Sequence, residues 1–290
     1  MYTIIDGKRT ASEIRNEIAA EVRKMQMNGI RVPHLAAILV GEDPSSKTYV
    51  ANKVRDCEEV GFRSTLVKFE ENADEGTLLG KISEFNHDES IDGFIVQLPL
   101  PSHIHENRII ESIDPSKDAD GFHPVNIGKM TAGLQGFLPA TPYGIMELIK
   151  RYGIETSGRH CVVIGRSNIV GRPVSILLSQ KGVDATVTVV HSRSKNIKDI
   201  IKQADIIVAA IGSPGFVTAE MVKEGVVVID VGTTRISAPG TKSGFRLTGD
   251  VDFENVAPKC SFITPVPGGV GPMTRVSLLR NTLFAARARR

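Results

Sequence analysis

The sequence of 290 residues is poor in cysteine, and its three cysteines lie far apart. Cys57, Cys161 and Cys260 are odd in number and form no CxxC pair, which argues against a disulfide framework and against a zinc knuckle. Long hydrophobic runs are also missing, since stretches such as Ile206–Ile211 are far shorter than the ~20 residues of a membrane-spanning helix. The first residues show no basic segment followed by an apolar one, so we expect no signal peptide. These absences predict reduced, mostly buried thiols in a cytoplasmic protein.

The sequence has almost no excess of charge of either sign. Lysine and arginine number 35 against 33 aspartate and glutamate residues, which leaves a formal net charge of +2. Such a balance gives little long-range attraction for a polyanion, so nucleic acid is a poor candidate partner. Apolar residues make up 41% and charged residues 23% of the chain, as is usual for a folded globular protein. The length suffices for two domains.

Apolar runs of strand length alternate with helical patterns from one end of the chain to the other. Leu35–Val40 and Ile91–Leu98 form such runs in the first half, and Cys161–Ile164, Thr186–Val190 and Val226–Val231 in the second. Strands separated by helices are typical of parallel sheets built from βαβ units. The sequence therefore predicts an α/β protein.

Local patterns predict where helices begin and where the chain divides. Thr10 and Glu13 have the spacing of a capping box and predict the start of the first helix. Residues 114–141 are rich in Asp, Gly and Pro, so we expect an ordered connector there and not a core element. Thr141 followed by Pro142 is typical of a helix N-terminus, and we place the domain boundary near these residues.

The segment Gly165–Gly171 carries the strongest nucleotide-binding signal of the second half. It follows the apolar strand Cys161–Ile164 and leads into a helix that begins with Gly171 and Pro173. This is the geometry in which helix N-terminal amides face a pyrophosphate. The pattern G-x-S-x-x-x-G is looser than the usual G-x-G-x-x-G, so alone it is only moderately specific.

The next strand ends without the acidic residue that NAD-dependent enzymes usually place there for the ribose hydroxyls. His191-Ser192-Arg193 follows Val190 instead. Arg166, Ser192 and Arg193 could surround a 2′-phosphate, where a carboxylate would repel it. This favours NADP over NAD; the alternative is that both arginines are solvated surface residues.

Tyr49 and Lys53 stand four residues apart in a predicted helix, so both side chains project from one face. A hydroxyl beside an amine is a candidate proton-transfer pair, because burial or a neighbouring charge can move a lysine pKa toward neutrality. The same spacing also occurs on ordinary solvated helix faces, and both interpretations stay open.

Gln97 and Asp120 are two further candidates. Gln97 stands at the carboxyl end of an apolar strand, where open α/β sheets bind ligands, and its amide could hold a neutral lysine amine. Asp120 could form a turn or pair with the amidine-like edge of a heterocycle. We predict no metal site, because the spacing and the neighbouring Cys or carboxylate ligands of a metal centre are absent around His103, His105 and His123.

The segment Thr264–Thr274 crowds three prolines and three glycines ahead of the last predicted helix. Such a segment is stiff, and its glycines let the backbone approach a flat ligand closely. The alternative is a plain connector between domains.

Together and in this order, the motifs closely resemble the bifunctional methylenetetrahydrofolate dehydrogenase/methenyltetrahydrofolate cyclohydrolase family (FolD type). The resemblance covers nearly the whole chain. The segments that carry it are Tyr49-x-x-x-Lys53, Val96-Gln97-Leu98-Pro99-Leu100-Pro101, Lys117-Asp118-x-Asp120-Gly121-Phe122, Pro139-x-Thr141-Pro142, Gly165-Arg166-Ser167-x-Ile169-Val170-Gly171 and Pro265-Val266-Pro267-Gly268-Gly269-Val270-Gly271-Pro272-Met273-Thr274.

The resemblance implies two α/β domains around a cleft, the C-terminal one a Rossmann-like doubly wound parallel sheet. Residues 1–140 with 273–290 would form the folate-binding catalytic domain, and residues 141–272 the NADP-binding domain. It also implies a homodimer joined through the cofactor domain. Neither a nucleic-acid partner nor a membrane partner is expected.

The implied activity is oxidation of 5,10-methylenetetrahydrofolate with NADP, followed by hydrolysis of the methenyl product to 10-formyltetrahydrofolate in one-carbon metabolism. The oxidation needs the donor carbon and the nicotinamide to meet where water is excluded. The methenyl cation is already electrophilic, so its hydrolysis needs one activated water and a proton shuttle. Two alternatives remain open, a dehydrogenase without cyclohydrolase activity and an NADP-sensing binding protein without turnover.

The resemblance also assigns roles to residues. Lys53 would be the central acid/base group, with Tyr49 beside the folate and Gln97 tuning the lysine. Asp120 would bind the pterin edge and completes the expected catalytic set. Substrate contacts are further expected from Val96, Leu98, Pro267, Gly268, Gly269 and Val270. The dinucleotide is expected to contact Gly165, Arg166, Ser167, Ile169, Gly171, Ser192, Arg193 and Thr233.

The sequence departs from the family pattern in two places. After Val231-Gly232 the family often has Ile-Asn, whereas this chain has Thr233-Thr234-Arg235, which affects the nicotinamide side of the expected site. Arg275 follows Met273-Thr274 where a small or aliphatic residue is common.

Overall fold

The structure is a computed structural model that describes residues 1–241 and 244–288. It divides into two compact units. One, the 141–274 unit, comprises Met1–Ala11 and Thr141–Thr274; the other, the 12–140 unit, comprises Ser12–Ala140 and the chain from Arg275 onward. The division suggested by the sequence instead groups residues 1–11 with the first half of the chain.

Strands and helices alternate along most of the chain. The strands are β1 (Thr3–Ile4), β2 (His34–Val40), β3 (Arg63–Phe69), β4 (Gly93–Val96), β5 (His160–Ile164), β6 (Thr186–Val190), β7 (Ile206–Ala209), β8 (Val226–Asp230), β9 (Thr234–Ser237), β10 (Phe245–Thr248) and β11 (Cys260–Ile263). The helices are α1 (Gly7–Met27), α2 (Pro44–Val60), α3 (Glu75–His87), α4 (Glu106–Ser112), α5 (Pro124–Thr131), α6 (Ala140–Arg151), α7 (Gly171–Leu178), α8 (Ile197–Lys202), α9 (Phe253–Val256) and α10 (Val270–Ala288).

The 12–140 unit is built on a parallel sheet with the strand order β3-β2-β4. The central strand β2 is buried along its whole length, as expected for a strand covered on both faces. Helix α3 contributes the buried side chains Leu78, Ile82 and Phe85, and the Phe85 ring packs edge-on against Phe94 of β4 with 5.5 Å between centroids. This core fixes the carboxyl end of β4.

The 141–274 unit contains a sheet of order β1-β11-β8-β7-β5-β6 in which every pairing is parallel. Successive strands lie on opposite sides of β5, with β6 on one side and β7 on the other. That reversal of direction is the topological switch point at which doubly wound sheets bind ligands. The predicted α/β fold with a Rossmann-like parallel sheet is confirmed, and the antiparallel pair β9–β10 is added to it.

The N-terminal residues join the 141–274 unit because β1 pairs with β11. Thr3 and Ile4 lie beside Phe262 and Ile263, and the Ile5 N–H donates to the Ile263 carbonyl oxygen at 2.8 Å. A two-residue strand carries too weak an alternation pattern to be identified from sequence.

Helix α1 begins one turn before the expected position. The Arg9 N–H donates to Asp6 Oδ1 at 2.8 Å, so Asp6 satisfies an N-terminal amide as a cap does. The Thr10 hydroxyl lies inside the helix and donates to the Asp6 carbonyl oxygen at 2.9 Å. The prediction of a capping box at Thr10 and Glu13 was therefore wrong.

Residues 114–141 form more than a connector. They contain α5, whose Asn126 and Met130 are buried, so the expectation of no core element was wrong. His123 accepts a hydrogen bond from the Val125 N–H at 3.1 Å and caps this helix. A helix of only eight residues gives little periodic signal, so the sequence pattern does not predict it.

The three cysteines are free and buried, as predicted. Within residues 1–241 and 244–288, no helix combines the length and the apolar character that a membrane span requires.

Candidate functional site

Helix α2 positions the predicted acid/base lysine. Asp43 accepts the Ser46 N–H at 2.7 Å and Pro44 occupies the first turn, so the start of the helix is fixed. Tyr49 and Lys53 share one face of α2, as the spacing predicts. Tyr49 is exposed, whereas Lys53 is only 8% exposed. Lys53 therefore does not lie on a solvated helix face.

Gln97 holds the Lys53 amine. The Lys53 Nζ donates to Gln97 Oε1 at 3.0 Å, and Gln97 Nε2 donates to the Leu98 carbonyl oxygen at 2.6 Å. Gln97 directly follows β4, where its backbone N–H donates to Ile38 of the neighbouring strand at 2.9 Å. The sheet thus fixes the amide, the amide presents its oxygen to the lysine, and Val96 lies buried beneath as the last residue of β4.

Asp120 lies in a loop that the carboxylate of Asp118 organises. Asp118 accepts backbone N–H groups from Gly121 at 3.0 Å and from His123 at 2.8 Å, together with the Asn126 Nδ2 at 2.9 Å. With both oxygens used in this way, Asp118 is a structural group. Asp120 lies near enough to Lys53 for the two charges to interact.

Burial moves the pKa values of Lys53 and Asp120 toward each other. Desolvation lowers the pKa of Lys53, and the nearby Asp120 charge opposes that shift. Desolvation raises the pKa of Asp120 to about 6, with Lys53 acting in the opposite direction. Burial therefore favours the neutral form of both the amine and the carboxyl group.

In the 141–274 unit, the chain after β5 makes a turn that excludes side chains. A Cβ on Gly165 would collide with the Ala210 carbonyl oxygen, and a Cβ on Gly171 would collide with the Gly165 carbonyl oxygen. Gly165 also has φ of +117°, where L-residues are strained. The two glycines therefore bring β5 and the first turn of α7 into direct backbone contact.

The residues between these glycines form an exposed turn. Ser167 Oγ accepts the N–H groups of Val170 at 3.2 Å and Gly171 at 3.3 Å. Arg166, Ser167 and Ile169 are exposed. Val170, the residue before α7, provides no side-chain cap, so this helix end is suited to an anionic group.

The loop after β6 is a tight turn that exposes Ser192 and Arg193. The His191 N–H donates to Ser194 Oγ at 3.0 Å, and the Arg193 N–H donates to His191 Nδ1 at 3.2 Å. Within the described ranges, neither Arg166 nor Arg193 forms an ion pair with a carboxylate. Both guanidinium groups are thus available to a ligand phosphate.

Two buried carboxylates that the sequence analysis missed are Asp230, at the end of β8, and Asp250, which follows β10. Asp230 accepts the N–H groups of Gly232 and Asp250 at 2.9 Å each and that of Val251 at 3.0 Å. Asp250 accepts the N–H of Ile211 at 2.7 Å. Burial raises the pKa of Asp230 to about 6. The sequence signal for Asp230 is that a carboxylate directly follows the apolar run Val226–Ile229. Through its bond to Gly232, Asp230 holds the loop that carries the exposed Thr233.

The segment before α10 is held by backbone contacts, as its composition suggests. The Val266–Pro267 peptide bond is cis, and the Lys8 N–H donates to the Gly268 carbonyl oxygen at 2.9 Å. Pro267 is exposed, and Gly269 and Val270 are buried. All four expected contact residues, Pro267 to Val270, belong to the 141–274 unit, whereas Lys53, Gln97 and Asp120 belong to the 12–140 unit.

In the part of the chain that the structure describes, no three His, Cys, Asp or Glu side chains lie close enough together to hold a metal ion. His103 contacts the Ala73 carbonyl oxygen at 2.9 Å, and His123 is used in capping α5.

Comparisons with known proteins cover both units. Residues 5–120 match the model of the tetrahydrofolate dehydrogenase/cyclohydrolase catalytic domain, and residues 139–290 match that of the NAD(P)-binding domain of the same family. The "Bifunctional protein FolD" of Porphyromonas gingivalis is 59% identical over 288 residues, covering 99% of this chain and 97% of its own. That of Bacteroides fragilis is 60% identical over 287 residues, covering 98% of each chain.

Solved structures agree over the full length. The bifunctional enzyme from Campylobacter jejuni superposes with a TM-score of 0.94 at 46% identity, covering 100% of both chains. The dehydrogenase-cyclohydrolase of Trypanosoma brucei, complexed with NADP cofactor and inhibitor, gives a TM-score of 0.95 at 40% identity, covering 99% of this chain and 98% of its own. This chain belongs to the tetrahydrofolate dehydrogenase/cyclohydrolase family.

Proposed function

We propose that this protein is an NADP-dependent methylenetetrahydrofolate dehydrogenase that also acts as a methenyltetrahydrofolate cyclohydrolase. The observation that carries the proposal is the buried Lys53 amine, hydrogen-bonded to Gln97 and lying in the field of Asp120. A protein that only bound NADP would have no use for a desolvated amine with a lowered pKa.

Lys53 serves the hydrolytic step. In its neutral form, the Nζ takes a proton from the water whose oxygen bonds to the methenyl carbon. The same Nζ returns the proton to N5 as the bond between that carbon and N5 breaks. The second proton of the water leaves the oxygen for the solvent as the carbonyl forms, so the formyl group stays on N10 and one proton is released overall. Gln97 orients the amine through Oε1, and burial supplies the neutral fraction of Lys53 that proton abstraction requires.

Asp120 and its surroundings hold the folate. Its carboxyl group has the donor–acceptor chemistry for the amidine-like edge of a pterin, and Tyr49 offers an exposed ring for packing beside the heterocycle. Val96 and Leu98 flank Gln97 and provide apolar contacts, and Pro267, Gly268, Gly269 and Val270 provide a backbone surface for the flat ring.

The residues present fit NADP. A bound NADP would supply the carbon that accepts the hydride from the methylene group. The Gly165–Gly171 turn, where a Cβ would collide with backbone, gives close backbone approach to a pyrophosphate, with Ser167 and Ile169 at its rim. Arg166, Ser192 and Arg193 supply two guanidinium groups and a hydroxyl for the 2′-phosphate, and Thr233 lies on the loop that Asp230 holds.

The unit assignments follow from these residues. The 12–140 unit binds folate and performs proton transfer, and the 141–274 unit binds NADP. A homodimer formed through the cofactor unit is supported by β6, which pairs only with β5 among the described strands and exposes Val189. A cytoplasmic location is supported by three free thiols, which persist where the surroundings are reducing.

The test is an assay that follows NADPH appearance and methenyl loss separately in the wild type and in Lys53→Met. We expect both signals in the wild type. Lys53→Met should lose methenyl hydrolysis by at least about 100-fold, because proton transfer is removed, with NADP affinity unchanged. The matched control is Lys47→Met, on the exposed side of the same helix and paired with Glu42, which should behave as wild type.

Three other results would each contradict a different part of this proposal. Near-normal hydrolysis in Lys53→Met removes Lys53 from the mechanism. NADPH formation without methenyl loss in the wild type indicates a dehydrogenase alone. NADP binding with neither signal indicates a sensor.

A further inference from the structure

A buried ion pair links α10 to the helix that carries Lys53. Arg275 Nη1 lies 3.2 Å from Asp56 Oδ2. Asp56 is one turn beyond Lys53 on α2, and Lys53, Asp56 and Cys57 all belong to the buried face of that helix. Asp56 is 2% exposed, so its charge depends on partners within the protein.

Arg275 is the main partner of this carboxylate. Burial raises the pKa of Asp56, and Arg275 is the strongest of the groups that oppose the shift, ahead of Arg15 and Arg55. Arg15 lies farther away, with Nη1 at 4.0 Å from Asp56 Oδ1, and its Nε is used by Glu59 at 3.0 Å. Neither Asp56 Oδ2 nor Arg275 Nη1 has a hydrogen-bond partner in the described part of the chain. The charge pair is therefore what fixes these two atoms.

The position of this pair matters for the amine. Capping by Asp43 fixes the start of α2, and Gly61 ends the helix. Asp56 and Arg275 add an anchor within one turn of the Lys53–Gln97 hydrogen bond, and an error of about 1 Å in a catalytic group can cost a large factor in rate.

We propose that Arg275 is a positioning residue for the cyclohydrolase step, acting through its buried ion pair with Asp56, which holds the Lys53 turn of α2 against α10. The inference rests on the proposed function. It also gives a role to the residue that departs from the family pattern, where a small or aliphatic side chain could not form this pair.

The experiment compares kcat for methenyl hydrolysis with kcat for methylene oxidation in wild type, Arg275→Met, Asp56→Asn and the double variant. We expect the hydrolysis-to-oxidation ratio to fall about tenfold in each single variant, with KM for the methenyl substrate changed less than twofold. The double variant should be no worse than either single one, because both residues act through one contact. Arg275→Lys, which keeps the charge, should retain at least a third of the wild-type ratio.

The matched control is Arg280→Met, which removes another α10 arginine whose Nη2 lies 3.3 Å from Glu17 at the surface; its ratio should equal that of wild type. A parallel loss of both activities, or an unchanged ratio, would show that Arg275 only stabilises the fold and would overturn the inference. Additive losses in the double variant would also overturn it. If Arg275→Met does not fold, Asp56→Asn and Arg275→Lys decide the question. A wild type without hydrolysis refutes the proposed function itself, which separates the two failures.

Discussion

At the scale of single residues, the site depends on two groups whose pKa values are shifted in opposite directions by burial. Desolvation favours the neutral forms of both Lys53 and Asp120. Each charge partly offsets the desolvation of the other. This arrangement costs stability, since a desolvated carboxylate is unfavourable in the folded protein at neutral pH.

The Asp120→Asn variant measures the stability cost of burying this carboxyl group. The pKa of Asp120 is raised from 3.8 to about 6, so above pH 6 the folded protein carries an ionised group that is better solvated after unfolding. We expect Asp120→Asn to raise the free energy of unfolding by about 1–2 kcal/mol at pH 8. As the pH falls from 6 toward 4, the carboxyl group becomes protonated in the folded wild type, and the cost of burying its charge disappears. The stability gained by Asp120→Asn should therefore shrink over that range. Urea unfolding at pH 8 and pH 4.5 measures it.

The same substitution should weaken folate binding by roughly 2 kcal/mol, which is the scale of losing a charged hydrogen bond. Titration with a folate ligand measures this loss. Intact affinity would remove Asp120 from the binding site, whatever the unfolding data show.

Cofactor choice is also decided by single side chains. Replacing Arg166 and Arg193 together by glutamine should reduce the preference for NADP over NAD by at least about tenfold, because two charge-assisted contacts to the 2′-phosphate are lost. NAD affinity should change less than twofold. Direct titration with both nucleotides checks this, with Arg159→Gln, an exposed arginine paired with Glu155, as the matched control. An unchanged ratio of NADP to NAD affinity would show that both arginines are solvated surface residues without a contact to the 2′-phosphate.

At the scale of elements, the buried strands were predictable and the short elements were not. The predicted strand over residues 186–190 coincides with β6, and the strands predicted at 35–40 and 161–164 each differ from the observed bounds by one residue. For β2 and β5, an apolar run gives a clear signal because both faces of a parallel sheet are covered. Strand β6 is only partly buried, and its signal is the alternation of Thr and Val, which are residues that favour strands. Strand β1 pairs with β11, which is far away in the sequence. Helix α5 and the β9–β10 pair are short, and short elements give little periodic signal.

The residues of the candidate site also differ in how clearly the sequence indicates them. Lys53, Gln97 and Gly165 could be singled out as candidates because helical spacing, strand ends and glycine turns are local signals. The Asp230–Asp250 contact and the Asp56–Arg275 ion pair join residues far apart in sequence, and a single sequence does not reveal such partners.

The turn between β5 and α7 has little tolerance for added atoms. Gly171→Ala places a methyl group against the Gly165 carbonyl oxygen, so the turn must open. We expect NADP affinity to fall at least tenfold and the free energy of unfolding to fall by about 1–3 kcal/mol. Gly80→Ala is the control, because a Cβ there meets no atom and the residue lies within α3. Calorimetric titration and urea unfolding measure both effects, and wild-type NADP affinity in Gly171→Ala would contradict the assigned role of the turn.

At the scale of the whole molecule, β6 leaves one edge of the larger sheet open. Its only described partner is β5, and Val189 is 37% exposed. If the proposed homodimer uses this edge, Val189→Glu should shift the protein toward monomers, because a buried charge would be introduced. Sedimentation velocity measures the outcome. Val125→Glu, at an exposed valine of the 12–140 unit, is the matched control and should leave the dimer intact; a dimeric Val189→Glu would place the interface elsewhere.

The pairing of β1 with β11 has a consequence for biosynthesis. Thr3 leaves the ribosome well before its neighbour Phe262. This edge strand of the larger sheet must therefore wait until β11 has been translated, and it stays without that partner while the chain between them is synthesised.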